Sequence, residues 1–259
     1  MNYTEFMNAM LCEIRGQVDA QNNGTRRTGI LFKQEDSNLA PTIYLEEFYQ
    51  KYLKGQQVPD LADSICSIYQ EIRVKKTCDC QNLFDFNHVK EHIVYKLIRR
   101  DANEELLKQI PYEPFLDLAV VYYIQIDNTR FGSAAIQIRN EHLRYWRVEK
   151  EEIRRFAEKN TPRIYPVQIR QIVRFMYVAT NEQCSLGAAV MRYPDFREKV
   201  RGMIRGDFYI LPSSIHEVIL VPESFGLEPE RMQEMVKEIN QTGVAPEEVL
   251  SDLNRSGMR

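Results

Sequence analysis

Two histidines and a glutamate form a metal-binding motif in the first half of the chain. The segment His88-Val-Lys-Glu91-His92 has the H-x-x-E-H order of one class of zinc metallopeptidases. Imidazoles four residues apart on a helix can share a zinc ion, and the adjacent carboxylate can deprotonate the bound water. A helix is predicted over 86–99, however, and its apolar residues fall on the face opposite to both histidines. The pattern therefore favours a solvated histidine pair over a zinc metallopeptidase.

A structural zinc site is an alternative use of the same two histidines. Cys78 and Cys80 precede them, and thiolates together with imidazoles form closed tetrahedral zinc sites. The C-x-C spacing is tighter than the usual two-residue spacer, and the seven residues between Cys80 and His88 are fewer than in a common zinc finger. We therefore expect no cofactor, with zinc held by Cys78, Cys80, His88 and His92 as the alternative.

A second group of reactive side chains lies between two predicted strands. Ser213, Ser214, His216 and Glu217 supply the residue types of a nucleophile, a base and a group that orients the base. In a strand, however, His216 and Glu217 point to opposite faces, and no G-x-S-x-G elbow surrounds the serines. Proline and serine are also common in hairpin turns. We therefore favour a turn over a serine hydrolase site that uses Ser213 or Ser214 with His216.

Asparagine and histidine side chains suggest a polar binding site instead. Asn140 is predicted to cap a helix, and His142 follows it in the first turn. Asn181 and His216 lie further along the chain, after and before predicted strands. If the fold gathers Asn140, His142, Asn181 and His216 into one cleft, their amide and imidazole groups would form a ligand site.

Composition limits the classes of function. The chain has 259 residues, 44% of them hydrophobic, and a net charge of −3 from 34 basic and 37 acidic side chains. This balance does not create the positive field that nucleic-acid binding needs, so we expect no nucleic-acid partner. No stretch approaches the roughly 18 consecutive apolar residues of a membrane span, and Glu5 and Glu13 interrupt the first segment where a signal peptide would be apolar. The chain has five cysteines, an odd number that does not suit the disulfide framework of a secreted domain. Together these features predict a cytoplasmic protein that binds no membrane.

The elements that must position these residues differ between the two parts of the chain. The first part, 1–110, is predicted as a helical lobe with a small sheet. Its predicted helices lie near 2–15, 45–54, 59–73, 86–99 and 101–109, and its strands near 28–34 and 41–45. Asn2 with Glu5 has the spacing of a reciprocal helix cap, and Pro59 suits a first helical turn.

The second part, 111–259, repeats a strand-strand-helix pattern. Strands joined by short turns pair antiparallel, and the helices that follow can cover one face of the sheet. The fold class is therefore predicted as α+β, with closely packed parts. The predicted strands are 116–126 with 134–139, 176–180 with 187–191, and 208–211 with 217–221, followed by helices near 141–159, 194–204 and 228–241.

Six segments also resemble a known family. They are Met1-Asn-Tyr-Thr-Glu-Phe-Met, Pro41-Thr-Ile-Tyr-Leu-Glu-Glu-Phe-Tyr, Phe115-Leu-Asp-Leu-Ala-Val-Val-Tyr-Tyr, Asn140-Glu-His-Leu, Leu211-Pro-Ser-Ser-Ile-His-Glu-Val and Val244-Ala-Pro-Glu-Glu-Val-Leu-Ser-Asp. In this order they resemble the bacterial family called domain of unknown function 5688 over nearly the whole chain. The resemblance implies a bacterial, cytoplasmic setting and one integrated unit, and it implies no catalytic residues.

Two hypotheses of function follow. The first is a non-enzymatic binding or regulatory protein, with an inhibitor encoded by a mobile element as one form of it. It would bind a protein partner or a small ligand through the antiparallel sheet or the groove between the lobes. The second is a hydrolase, either zinc-dependent through the H-x-x-E-H motif or serine-type through the Ser-Ser-Ile-His segment.

Overall fold

The computed structural model describes residues 1–13, 18–22, 25–31, 42–72, 83, 85–129, 132–212, 214–242 and 244–251. The chain divides into two compact units, Met1–Leu83 and Phe84–Arg259. This division lies earlier than the boundary predicted near residue 110, because strand 93–99 pairs with a strand that follows residue 110 and so belongs to the second unit. The predicted α+β class is confirmed, since both units combine helices with antiparallel sheets.

The first unit combines helices with a small antiparallel sheet of order β1-β2-β3. Its described elements are α1 (Tyr3–Glu13), β1 (Val18–Asn22), β2 (Thr25–Leu31), β3 (Thr42–Tyr44), α2 (Glu46–Leu53) and α3 (Val58–Ile72). The predicted cap of α1 is present: the Glu5 amide donates to Asn2 Oδ1 at 2.9 Å and the Asn2 amide donates to Glu5 Oε2 at 3.0 Å. One turn later, Phe6 and Met10 lie on the same helix face and are fully buried in the core of this unit.

The first sheet of the second unit is built around its longest strand. Its elements are α4 (Phe86–Val89), β4 (Ile93–Arg99), α5 (Glu104–Leu107), β5 (Tyr112–Phe115), β6 (Leu118–Thr129), β7 (Gly132–Gln137), α6 (Asn140–Trp146) and α7 (Lys150–Ile164). Strands β4, β5 and β7 all pair antiparallel with β6. Two buried polar residues of α7 fasten this helix to β4: Asn160 Nδ2 donates to the Ile93 carbonyl at 3.0 Å, and the Tyr95 amide donates to Thr161 Oγ1 at 3.0 Å.

The second sheet has the strand order β10-β11-β9-β8. Its elements are β8 (Val167–Val173), β9 (Met176–Asn181), α8 (Phe196–Ile204), β10 (Phe208–Pro212), β11 (Val218–Pro222) and α9 (Pro229–Thr242), with 3-10 turns at Gly187–Arg192, Glu223–Phe225 and Pro246–Glu248. Helix α9 packs Met232 and Val236 against Leu211 of the edge strand β10 and Val221 of its neighbour β11. Among the described strands, β8 forms the opposite edge of this sheet from β10.

The helix predicted over 86–99 is wrong beyond its first turns. Helix α4 ends at Val89, a 3-10 turn follows over Lys90–His92, and residues 93–99 form β4. This strand is rich in β-branched and aromatic residues and is buried on both faces. Apolar and polar residues do not alternate along a strand that is buried on both faces, so the spacing of its apolar residues does not distinguish it from a buried helix.

The second sheet also differs from its prediction at two places. The strand predicted over 187–191 is wrong, because Gly187–Arg192 is a 3-10 turn packed against β9. Strand β8, which pairs with β9, is not predicted from the sequence. Its last four residues, 170–173, are all exposed, so buried and exposed side chains do not alternate along it. Strands β9, β10 and β11 lie where the sequence predicts strands. Among the described residues, no helix is long and apolar enough to span a membrane.

Candidate functional site

His216 lies at the centre of a polar cluster between β10 and β11. The Leu186 amide donates to His216 Nδ1 at 3.2 Å, so Nδ1 accepts and we assign the proton of the neutral ring to Nε2. Nε2 faces Glu248 Oε1 at 3.4 Å, and both side chains are partly exposed. Both ring nitrogens therefore have a polar neighbour, which orients the imidazole.

Ser214 contacts the backbone amide of His216, whereas a nucleophilic serine would contact the imidazole ring of its base. The His216 amide donates to Ser214 Oγ at 3.0 Å, which is a local turn bond, while the two ring nitrogens face Leu186 and Glu248. Ser214 is also buried. Ser213 lies outside the described residues, so a serine hydrolase site that includes it stays a prediction.

Asn181 belongs to the same cluster as His216. Its Nδ2 donates to the Ser185 carbonyl at 2.7 Å, and its Oδ1 accepts from the Ser185 amide at 3.3 Å. Gly187 joins the two parts, because a Cβ at this position would lie 2.8 Å from the Asn181 amide nitrogen and 2.5 Å from the His216 carbonyl oxygen. The fold therefore brings together two of the four predicted binding residues.

Asn140 and His142 have different neighbours from that cluster. Asn140 Nδ2 donates to the Lys108 carbonyl at 3.3 Å, and the Arg139 amide donates to His142 Nδ1 at 3.1 Å. The predicted cap at Asn140 is wrong by one residue, since Arg139 is the N-cap and His142 satisfies its amide. Burial lowers the pKa of His142, and the charge of Arg139 lowers it further. This arrangement closes a helix start, and its role as a ligand site stays a prediction.

The two histidines of the H-x-x-E-H motif do not share one helix. His88 lies in α4, with its Nδ1 3.6 Å from Asp85 Oδ2, whereas His92 ends the 3-10 turn before β4. Both histidines are exposed. Cys78 and Cys80 lie outside the described residues, and within the described part of the chain no three His, Cys, Asp or Glu side chains form a group that could hold a metal ion. The zinc hypothesis therefore stays a prediction.

An exposed apolar surface, which the sequence did not predict, lies at the β8–β9 hairpin. We call it the hairpin surface and define it by the side chains of Arg170, Ile172, Val173, Arg174, Phe175 and Phe225. The exposed fractions of its apolar members are 52% for Ile172, 56% for Val173, 37% for Phe175 and 44% for Phe225. The rings of Phe175 and Phe225 stack with their centres 5.5 Å apart, which joins the hairpin to the 3-10 turn after β11.

Phe175 adopts a backbone conformation that is unusual for an aromatic residue. Val173 pairs with Met176, so Arg174 and Phe175 form a two-residue turn, and Phe175 has a φ of 65°. Positions with positive φ in such turns usually hold glycine or asparagine, and a bulky residue there costs about 1 kcal/mol or more. The Arg174 guanidinium lies 4.8 Å from the centre of the Phe175 ring. The two residues of this turn are neither glycine, asparagine nor proline, so the sequence does not mark the turn in the usual way.

A second arginine and aromatic arrangement lies between the first sheet and α7, with Arg192 and Glu113 largely buried and Arg154 and Glu158 partly exposed. We call Glu113, Arg154, Glu158 and Arg192 the arginine cluster. Arg192 Nη2 lies 3.1 Å from Glu158 Oε1 and 3.7 Å from Glu113 Oε2, and Arg154 Nε lies 3.7 Å from Glu113 Oε1. Two cations thus face two carboxylates, and the cluster carries no net charge.

Aromatic rings surround the arginine cluster. The Arg192 guanidinium lies 5.9 Å from the centre of the Tyr95 ring and 5.4 Å from that of Phe115. Tyr122 donates its hydroxyl to Glu113 Oε1 at 2.9 Å. Burial raises the pKa of Tyr122, and the Glu113 carboxylate raises it further. The cluster is therefore a neutral brace that joins β5, β6, α7 and the Gly187–Arg192 turn.

Comparisons with known proteins return a family and no function. A family model described as "Family of unknown function (DUF5688)" matches residues 5–176 and 173–254. No curated protein and no solved structure matches the chain.

Proposed function

The chain belongs to the family of unknown function DUF5688, and on that premise we propose that it is a non-enzymatic protein that binds another protein through the hairpin surface. One observation carries the proposal: Ile172, Val173 and Phe175 are exposed on an edge hairpin, and Phe175 stacks on the exposed Phe225 of the adjoining turn. Exposed apolar side chains that are contiguous and rimmed by charge are typical of protein interfaces.

The strained turn supports the same function. A residue held at positive φ persists where the surrounding structure or the function favours it. This position holds a phenylalanine and not the glycine that would relieve the strain, and the side chain is 37% exposed while it stacks on Phe225. Aromatic residues of this kind act as anchors in protein interfaces, where removal of one costs about 2 kcal/mol or more of binding free energy.

The first experiment identifies a partner and then tests the surface. A photoreactive phenylalanine analogue at position 175 is used to crosslink proteins in a lysate of the organism that encodes the chain. The captured protein is purified and titrated against Phe175→Ala, Phe225→Ala and the control Tyr145→Ala, whose ring is exposed on α6. We expect each hairpin variant to raise Kd at least tenfold and Tyr145→Ala to leave Kd unchanged.

Equal affinities for all three variants, with circular dichroism showing that they are folded, would contradict the proposal. The two hydrolase hypotheses predict other results. Labelling of Ser213 or Ser214 by a fluorophosphonate would contradict a non-enzymatic role, and so would one equivalent of zinc that is lost in a His88→Ala His92→Ala variant.

A further inference from the structure

We infer that the partner enters the hairpin surface as an extended acidic segment that adds a strand to β8. This inference rests on the proposed function and names the chemical class of its partner. It combines three features of one hairpin: a strand edge, apolar side chains and uncompensated positive charge.

The strand edge provides the backbone part of the interface. β8 is the terminal strand in the order β10-β11-β9-β8, and among the described residues it pairs with β9 alone. Its residues 170–173 are all exposed. A strand in that position presents one row of amide and carbonyl groups that an added strand can pair with, and pockets for alternate side chains then select the sequence.

The charge of the hairpin selects the kind of segment. Residues 167–177 contain Arg170 and Arg174 and no aspartate or glutamate. Within the described part of the chain, neither arginine forms an ion pair or a hydrogen bond through its side chain, whereas Arg192 faces two carboxylates. Cross-strand pairs of opposite charge each contribute roughly 0.2 to 1 kcal/mol, so acidic side chains next to β8 would be favoured.

A second copy of the chain fits this edge less well than an acidic segment. Antiparallel pairing of two β8 strands would bring Arg170 of both copies to one seam, with Arg174 at the adjoining turn of each copy, and like charges across a strand pair destabilise it. A basic segment meets the same repulsion. An acidic segment with interleaved apolar residues satisfies the edge, the arginines and the exposed Ile172 and Val173 together.

The experiment uses three labelled twelve-residue peptides and the full chain. The first peptide alternates glutamate with valine and threonine, the second has lysine in place of glutamate, and the third is the acidic peptide with proline at every fourth position. Fluorescence anisotropy measures binding to the native chain, to an Arg170→Glu Arg174→Glu variant and to a control variant, Lys199→Glu Lys237→Glu, with the same change of charge on exposed helix positions.

We expect the acidic peptide to bind at least tenfold more tightly than the basic peptide and the proline peptide to bind at least tenfold more weakly than the acidic one. The arginine variant should reverse the preference for charge, the lysine variant should keep it, and added salt should weaken the acidic complex.

Each opposite result overturns a defined part of the inference. Equal binding of acidic and basic peptides would overturn the acidic class, and equal binding of the proline peptide would overturn strand addition. Absence of binding by all peptides, or a dimer in sedimentation that the arginine variant changes, would overturn the inference as a whole. The proposed function is judged separately by the crosslinked partner and the Phe175→Ala variant.

Discussion

Two arginines of the second unit lie against aromatic rings, yet their surroundings are opposite. Arg192 lies near the rings of Tyr95 and Phe115, faces two glutamates and is 18% exposed. Arg174 lies over Phe175 alone at an exposed turn, with no carboxylate partner in the described part of the chain. The Arg192 guanidinium is paired with carboxylates of the fold, whereas the Arg174 guanidinium is exposed at the turn, where we propose that a partner binds. The same pair of residue types can therefore brace a fold or provide a binding surface.

Removal of each arginine gives the largest predicted difference. Arg192→Ala should lower the free energy of unfolding by about 2 to 3 kcal/mol, because it leaves Glu113 and Glu158 short of a partner in a partly buried site. Arg174→Ala should change it by less than about 0.5 kcal/mol. Urea unfolding measures both values, and equal losses would show that the two sites do not differ in this way.

Two glycines test whether a buried and an exposed position differ in the room that they leave for an added side chain. A Cβ at Gly187 would lie 2.1 Å from Thr180 Oγ1, so Gly187→Ala should lower the free energy of unfolding by about 2 kcal/mol. Gly202 lies in α8 with no atom within 4 Å of an added Cβ, so Gly202→Ala should raise it by roughly 0.5 to 1 kcal/mol. Thermal unfolding of both variants checks the signs, and a stable Gly187→Ala protein would contradict the close approach.

The strain at the open hairpin gives a smaller effect. Phe175→Ala removes the ring and keeps a side chain at positive φ, whereas Phe175→Gly removes the ring and the strain together. The glycine variant should be more stable than the alanine variant by about 1 kcal/mol. Chemical unfolding of the two variants measures this difference, and equal stability would indicate that residue 175 does not hold a left-handed conformation in solution.

The smallest effect concerns pH at the start of α6. The folded-state pKa of His142 is lowered by burial, so the unfolded chain takes up a proton first as the pH falls through the ordinary histidine value of about 6.5. The contribution of the neutral ring is therefore present above about pH 6.5 and is lost as the pH falls toward the folded pKa. His142→Gln keeps a side-chain acceptor for the Arg139 amide and does not titrate, so it serves as the control.

The stability of the native protein relative to His142→Gln should decrease as the pH falls from 7 to 5, because the unfolded chain binds the proton more readily than the folded chain. Unfolding measured at intervals across this range tests the sign. A relative stability that rises on acidification would mean that His142 is charged, not neutral, in the folded chain.

The sequence by itself determined the α+β class and the elements whose signals are local. The reciprocal cap of Asn2 and Glu5 acts over three residues, so its chemistry is readable in the chain, and α1 begins there. Strands β9, β10 and β11 were also predicted, because short β-rich runs bounded by turn residues mark them. The family was predicted from whole segments and is confirmed.

Only the tertiary structure decided which distant residues meet. Residues 93–99 became a strand because β6 offers them a partner along their whole length, and a local pattern does not contain that partner. Asn181 and His216 meet because Gly187 lets three chain segments approach within a few ångströms, whereas Asn140 and His142 are occupied at the start of their own helix. The hairpin surface likewise exists because β8 has a neighbour on one side alone among the described strands, and long-range pairing, not residue type, decides which strand forms the edge.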